Sequence, residues 1–246
     1  MRSQVRRQQV RTQKLGSVKK RRPCPETAAA APAAAFRLLE TYANLAKKGE
    51  HLLGNLLDGT PPRQWAHYPE ADAIDQSGGY QWFYHSHSPA DREVTSEHGH
   101  IHLFARKPLW GRRLRLGSEG AFAMLCGNPQ ENPETRHLVG LGFDAKGIPI
   151  SLFTVNSWVT GDLMLGADLT LELLQSINLN TGHADIDTVI ESVVRLCAPE
   201  LQELLRRRDE VLRRHQGPDK LFDQSLELLS EVHIDLDKKL ATVAIM

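Results

Sequence analysis

The stretch Tyr80-Gln81-Trp82-Phe83-Tyr84-His85-Ser86-His87-Ser88-Pro89-Ala90-Asp91-Arg92-Glu93-Val94-Thr95-Ser96-Glu97-His98-Gly99-His100-Ile101-His102-Leu103-Phe104 decides how the rest of the chain is read. Its first part, Tyr80–Ser86, is rich in aromatic residues and follows the turn signal Ser77-Gly78-Gly79. Its last part, His98–Ala105, alternates in character. Both read as strands of one hairpin, joined through a polar segment that holds Pro89, Asp91 and Arg92. Residues two apart on a strand share a face, so His85 and His87 point one way on the first strand. His98, His100 and His102 point one way on the second. If Phe83 opposes Phe104, then His85 opposes His102 and His87 opposes His100. A register shifted by two residues changes the pairs but keeps all five imidazoles on one face. Trp82, Tyr84, Ile101 and Leu103 then form the opposite, core-facing side.

Five of the chain's 11 histidines lie in this hairpin. Neutral imidazole is the commonest ligand for zinc, iron, copper and nickel, and it brings no charge into the protein. Directly opposed Cβ atoms lie about 4.5–5.5 Å apart, a fair span for two imidazoles to meet one ion. We therefore take His85, His87, His98, His100 and His102 as candidate metal ligands for zinc, iron, copper or nickel. Glu97 and Asp91 stand beside them as candidate catalytic carboxylates, in the role of ligand, ligand partner or general base. His67 and His137 are candidates to join. His51, His183, His215 and His233 read as incidental. A metal-free histidine-rich site and an exposed histidine-rich face are the competing readings.

Outward from the hairpin, helical spacing of Leu38, Leu39, Tyr42, Leu45 and Ala46 predicts an N-terminal helix. Leu52, Leu53, Leu56 and Leu57 continue it to the stop at Asp58-Gly59. Residues 64–160 read as strands. Leu138–Phe143 and Pro149–Val155 form a second hairpin about the turn Asp144-Ala145-Lys146-Gly147, and 108–118 and 121–125 are candidate further strands. Gly127–Thr135, with two Asn-Pro steps, reads as a loop. Asn156, Trp158, Thr160 and Asp162 share strand parity, which makes Asn156 and Trp158 candidates for the floor of a binding pocket.

After Gly166 the pattern is helical. Ile186, Val189, Ile190, Val193, Val194 and Cys197 make one apolar stripe with Asp185 placed to cap it, and Cys197 reads as a core thiol. Pro199 opens the next helix, whose inward positions are Leu201, Leu204, Leu205, Val211 and Leu212. A short helix is expected around Phe222–Leu229. The expected architecture is α+β: a central antiparallel sheet with a histidine-lined hairpin, flanked by an N-terminal helix and C-terminal helices.

Composition sets the limits. Residues 1–22 hold nine basic side chains and no acid, which leaves 21 basic and 30 acidic residues behind them. We expect residues 1–32 to be a disordered, basic and Ala/Pro-rich tail. Residues 33–246 are then a single domain, β-rich over about 64–160 and helical over about 166–246. Three distant cysteines form no disulfide framework, and no apolar stretch is long enough to span a membrane, so a cytoplasmic protein is expected. The basic tail offers phosphate affinity, but it has no aromatic residue for stacking and the body is acidic, which argues against a nucleic-acid partner. A small-molecule substrate is compatible with everything above.

Gly79-x5-His85-x-His87-x3-Asp91 resembles the first cupin motif, in which a glycine, two histidines and a glutamate build a metal site inside a small β-barrel. Asp91 replaces the glutamate, Gly99 is one place late for the closing glycine, and no second motif is found near Pro149–Asn156. His85-Ser86-His87 resembles the core of the JAMM metallopeptidases, with Ser88 intervening before Pro89 and His98 where their aspartate stands. Three segments together resemble an uncharacterised family of bacterial proteins over most of residues 36–235. They are Tyr84-His85-x-His87-x-Pro89, Glu97-His98-Gly99-His100-Ile101-His102-Leu103-Phe104 and Asn156-x-Trp158-Val159-Thr160-Gly161. That resemblance implies a bacterial cytoplasmic protein and carries no activity. The residues themselves favour a metal-dependent enzyme, either hydrolytic or oxygen-activating. The alternatives are a metal storage, delivery or sensing protein and, on the tail alone, a nucleic-acid-associated protein.

Overall fold

The structure, a computed structural model, describes residues 25–86, 97–114, 117–126 and 134–244. Among the described residues, seven strands form one open sheet: β1 (Tyr68–Ile74), β2 (Tyr80–His85), β3 (Glu97–Arg106), β4 (Thr135–Asp144), β5 (Pro149–Val155), β6 (Leu163–Met164) and β7 (Leu228–His233). The order is β1-β2-β3-β4-β5-β7, all antiparallel, and the two-residue β6 pairs parallel to the start of β4. With α1 (Pro25–Lys48) before the sheet and α6 (Ala167–Gln175), α7 (Ala184–Leu196) and α8 (Ala198–Arg214) late in the chain, the architecture is α+β as expected. The sheet is open, so it is not the small barrel that the cupin-like spacing implies. No helix of the described residues is long and apolar enough to cross a membrane.

One face of the sheet makes the main core. Trp82, Tyr84, Ile101, Leu103, Leu141 and Leu152 are fully buried there, with Leu38 and Leu45 of α1 and the apolar stripe of α7. Strand alternation sends every other side chain to this face. Trp82 fixes the seam: its indole N–H donates to Asp187 of α7, which also accepts from the backbone N–H and hydroxyl of Thr181. Cys197 lies in this core, and Leu201, Leu204, Leu205 and Leu212 of α8 are buried.

The register between β2 and β3 is the shifted one. Phe83 opposes His102 and His85 opposes His100. Next to it, pairing with β4 slips: Glu97 opposes Asp144, but Gly99 opposes Phe143. Two residues of β3 therefore face one of β4, a β-bulge. The bulge reverses the phase of the strand end. Glu97 lies on the histidine face against His100, and His98 turns to Tyr84 of the core face. The expectation that His98 shares a face with His100 and His102 is corrected by this bulge, which alternation alone does not reveal.

Other local expectations are also corrected. The first helix runs from Pro25 through the Ala/Pro stretch and stops at Lys48, where Gly49 takes φ +67; Gly54–Leu57 is a separate turn, α2. Alanine's high helix propensity explains the N-terminal extension, and Ala34 and Ala35 are buried. Segments expected as strands are helical: α3 is Lys107–Trp110, with Pro108 in its first turn, and α4 is Gly117–Cys126. Asn156 ends β5 and caps a helical turn, α5 (Ser157–Thr160), which breaks the strand parity read through Trp158. Asp185 lies in the first turn of α7 and makes no cap bond; His183 holds the cap position. Leu228–His233 is a strand, because pairing with β5 outweighs the helical pattern, and the final helix, α9, lies at Leu236–Ala244.

Gly99 tests the bulge. A Cβ there would collide with the Tyr84 hydroxyl and with the His85 carbonyl oxygen 2.5 Å away, and backbone cannot move aside as a side chain can. Gly99→Ala should therefore cost about 1–3 kcal/mol, the usual range for overpacking, read as a lower urea midpoint. A midpoint unchanged from the parent protein contradicts the tight packing of this turn.

Candidate metal centre

The second face of the sheet is where the histidines lie. His85 at the end of β2 is 9% exposed; His100 and His102 on β3 are 2% and 1% exposed. Each of these three offers a ring nitrogen within 4.8 Å of the others, so the cluster could hold a metal ion. His85 Nε2 and His100 Nε2 lie 2.6 Å apart. Imidazoles that share one ion at about 2.0–2.1 Å keep their nitrogens roughly 3–4 Å apart. Small side-chain rotations therefore separate the present set from a ligating one.

The neighbouring strand makes room for these rings. Gly142 opposes His100 and Gly140 opposes His102 on β4. A Cβ at Gly140 would strike the ring of Phe153, and one at Gly142 would strike Glu97 and Ser151. The absence of side chains lets Phe153 cross the strand and set its edge toward His100, with ring centres 4.9 Å apart. Phe83 and Phe104 flank the histidines from β2 and β3.

Hydrogen bonds fix which nitrogen points where. Glu97 Oε1 lies 2.7 Å from His100 Nδ1, with both side chains almost fully buried. With Glu97 ionised, the carboxylate only accepts; His100 then carries its proton on Nδ1 and turns the Nε2 lone pair toward His85. A carboxylate on the far nitrogen is the usual support of a metal-ligating histidine and raises its basicity. Glu97 Oε2 accepts from Ser151 Oγ at 3.4 Å. His102 Nδ1 meets His137 Nε2 at 3.0 Å. Burial, with the Arg208 guanidinium as the next cause, pushes the His137 imidazole down to about 3, so it stays neutral at any ordinary pH.

The triad opens onto a cavity of about 270 Å³. Phe83, Phe104, Phe153 and Val159 supply apolar lining, and Gln81, Asp72, Thr160, Asp162 and Glu227 supply polar lining. At the mouth stands Trp65, whose ring lies edge-on to His85 with centres 6.0 Å apart. His67 stacks flat on Phe83 at 3.6 Å and pairs with Asp72, so it borders the cavity without joining the triad. Asp162 accepts from the Thr135 hydroxyl, and burial raises its carboxyl above the usual aspartate range.

Set against the sequence, the structure brings His85, His100, His102 and Glu97 together, with His137 behind His102. His98 lies elsewhere, with Nδ1 2.7 Å from the Tyr84 hydroxyl. His87 and Asp91 lie outside the described residues. Asn156 and Trp158 are engaged in the backbone: Asn156 accepts from Ser157 N–H and donates to Lys220 O, and Trp158 donates to Leu226 O. Neither lines the cavity, whereas their neighbours Val159, Thr160 and Asp162 do. Trp65, Asp72 and Phe153 were not legible as site residues. Gly140 and Gly142 did leave a trace, since alternate glycines within a strand mark close approach of other groups.

The chain matches, over residues 32–234, the family described as a domain of unknown function (DUF6969), and it belongs to that family. No curated protein and no solved structure matches it.

His137 gives a stability test. Its folded value near 3 lies below the ordinary 6.5, so between those values the unfolded chain binds a proton that the folded chain does not. Stability is full above about pH 6.5 and falls as pH drops through this window, by up to about 1.4 kcal/mol per pH unit. In His137→Gln, studied with chelator present, the slope of unfolding free energy between about pH 4 and pH 6 should be shallower by close to one proton. Equal slopes contradict the burial of a neutral imidazole.

Proposed function

We propose that this member of the DUF6969 family binds one transition-metal ion through His85, His100 and His102 and uses it as a metal-dependent enzyme on a small molecule in the adjoining cavity. The observation that carries the reading is the buried triad itself, with the Glu97 carboxylate seated on His100 Nδ1. Histidine ligation without cysteine suits zinc, iron, copper or nickel. Three protein ligands leave coordination positions for water or substrate, the arrangement of catalytic sites, whereas structural zinc sites are closed by four. A metal held there would supply Lewis acidity and an activated oxygen, for hydrolysis or for oxygen chemistry.

The chain's own residues have separable tasks in this reading. Glu97 is a positioning residue: it fixes the tautomer and the direction of His100 and does not face the substrate. His137 positions His102 in the same way. Phe83, Phe104 and Phe153 surround the ligand face with apolar surface, which strengthens electrostatic interaction there. A storage or delivery protein hands its ion on, and that favours exposed ligands. Two of these three imidazoles are closed to solvent, and the opening beside them has the size of a small ligand.

The test is elemental analysis of protein purified without an affinity tag. One equivalent of a transition metal is expected, retained on dialysis at neutral pH and released near about pH 5, because imidazoles must be deprotonated to ligate. His85→Ala and His100→Ala should lose it. Glu97→Gln should weaken it by about 10–100-fold, as loss of a supporting partner does. His98→Ala should keep it. Protein that carries no metal and takes up none on titration contradicts the reading.

A further inference from the structure

The cavity beside the triad has a chemical bias of its own. Its volume of about 270 Å³ falls just below the roughly 300–1,000 Å³ range of drug-sized ligand sites, which suits a small ligand. Phe83, Phe104 and Val159 give it an apolar floor. Its polar wall carries Asp72, Asp162 and Glu227, and among the described residues lining it there is neither lysine nor arginine.

The two aspartates feel each other. The charge of Asp72 adds to the burial that raises the Asp162 carboxyl, and the Thr135 hydroxyl and the Arg136 guanidinium offset this only in part. Asp72 is held in place by His67 Nδ1 at 3.0 Å and by the Gln81 amide, which donates at 2.8 Å. So two carboxylates line one cavity, and the burial of the Asp162 carboxyl is offset only in part by its partners. At the mouth, Trp65 presents a ring that is 60% exposed, in a molecule whose Trp82 and Trp110 are fully buried. An exposed indole that lines the same cavity as three carboxylates adds to the attraction for an organic cation, through the ring quadrupole.

We propose that the cavity takes a small organic ammonium. Its apolar, ring-sized body sits on the aromatic floor, and its protonated amine is drawn by Asp72 and Asp162 on the polar wall and by Trp65 at the mouth. The rest of the molecule is presented to His85, His100 and His102. This inference rests on reading the cavity as the substrate site of the metal centre, and it adds the substrate class. Neutral and anionic molecules of the same shape are disfavoured. A metal site without this wall would favour the anion, because an open coordination position attracts a carboxylate.

The test uses the full chain, with and without added zinc. It is titrated calorimetrically with three probes of one shape: 2-phenylethylamine, 2-phenylethanol and 3-phenylpropionate. The amine should bind at least about tenfold more tightly than either other probe, the worth of one charged contact of about 1.4 kcal/mol. Asp162→Asn should remove most of that preference while leaving the alcohol's affinity unchanged. Trp65→Leu should lower amine affinity by about 3–10-fold, the range of a cation–π contact. Equal binding of the three probes, tightest binding of the carboxylate, or a preference that survives Asp162→Asn overturns the proposal. Zinc content measured on the same samples keeps the two readings apart. One equivalent of zinc without amine preference removes the ammonium site and leaves the metal centre. Amine preference without zinc uptake removes the metal centre and leaves the ammonium site.

Discussion

His85 and His100 face each other across β2 and β3, and their Nε2 atoms lie 2.6 Å apart in a buried setting. Two imidazolium ions cannot share that space, because like charges this close disfavour protonation. An ionised Glu97 commits His100 to Nδ1–H, and the His100 lone pair is then directed at its partner. A cation between the rings satisfies both nitrogens at once. The remainder of the site follows from this pair. His102 lies two residues along the same face, Gly140 and Gly142 clear the strand opposite, and Phe153 seals the gap that the glycines leave.

The β-bulge at Glu97–Gly99 is the second determinant, because it decides which polar group supports the pair. A regular strand would put His98 beside His100 and send Glu97 to the other face. With the extra residue, a carboxylate replaces an imidazole in the buried position. A fourth neutral ring would add only another lone pair or another proton to a crowded cluster. In the proposed metal site the carboxylate would orient a ligand and also supply negative charge near the cation.

Period-two patterning made the sheet, the shared face of His85, His100 and His102, and the core role of Trp82, Tyr84, Ile101 and Leu103 legible in the sequence. The helical stripe from Ile186 to Cys197 was legible for the same reason at a different period. The phase of His98 was not, because a bulge is set by pairing with β4, which is distant in sequence. Nor was the strand at Leu228–His233, whose hydrogen bonds come from β5. The cavity walls were the least legible part. Trp65 and Asp72 precede the hairpin, and Asp162 and Glu227 come from two later connections. Only the folded sheet brings them to one opening.

The central claim is that three imidazoles of this hairpin ligate one metal ion. X-ray absorption at the metal edge, on protein loaded with one equivalent of zinc, tests it most directly. The account predicts three imidazole nitrogens at about 2.0–2.1 Å, with multiple scattering from the rings, completed by oxygen and with no sulfur shell. An oxygen-only shell without imidazole scattering, or a sulfur shell near about 2.3 Å, would contradict it.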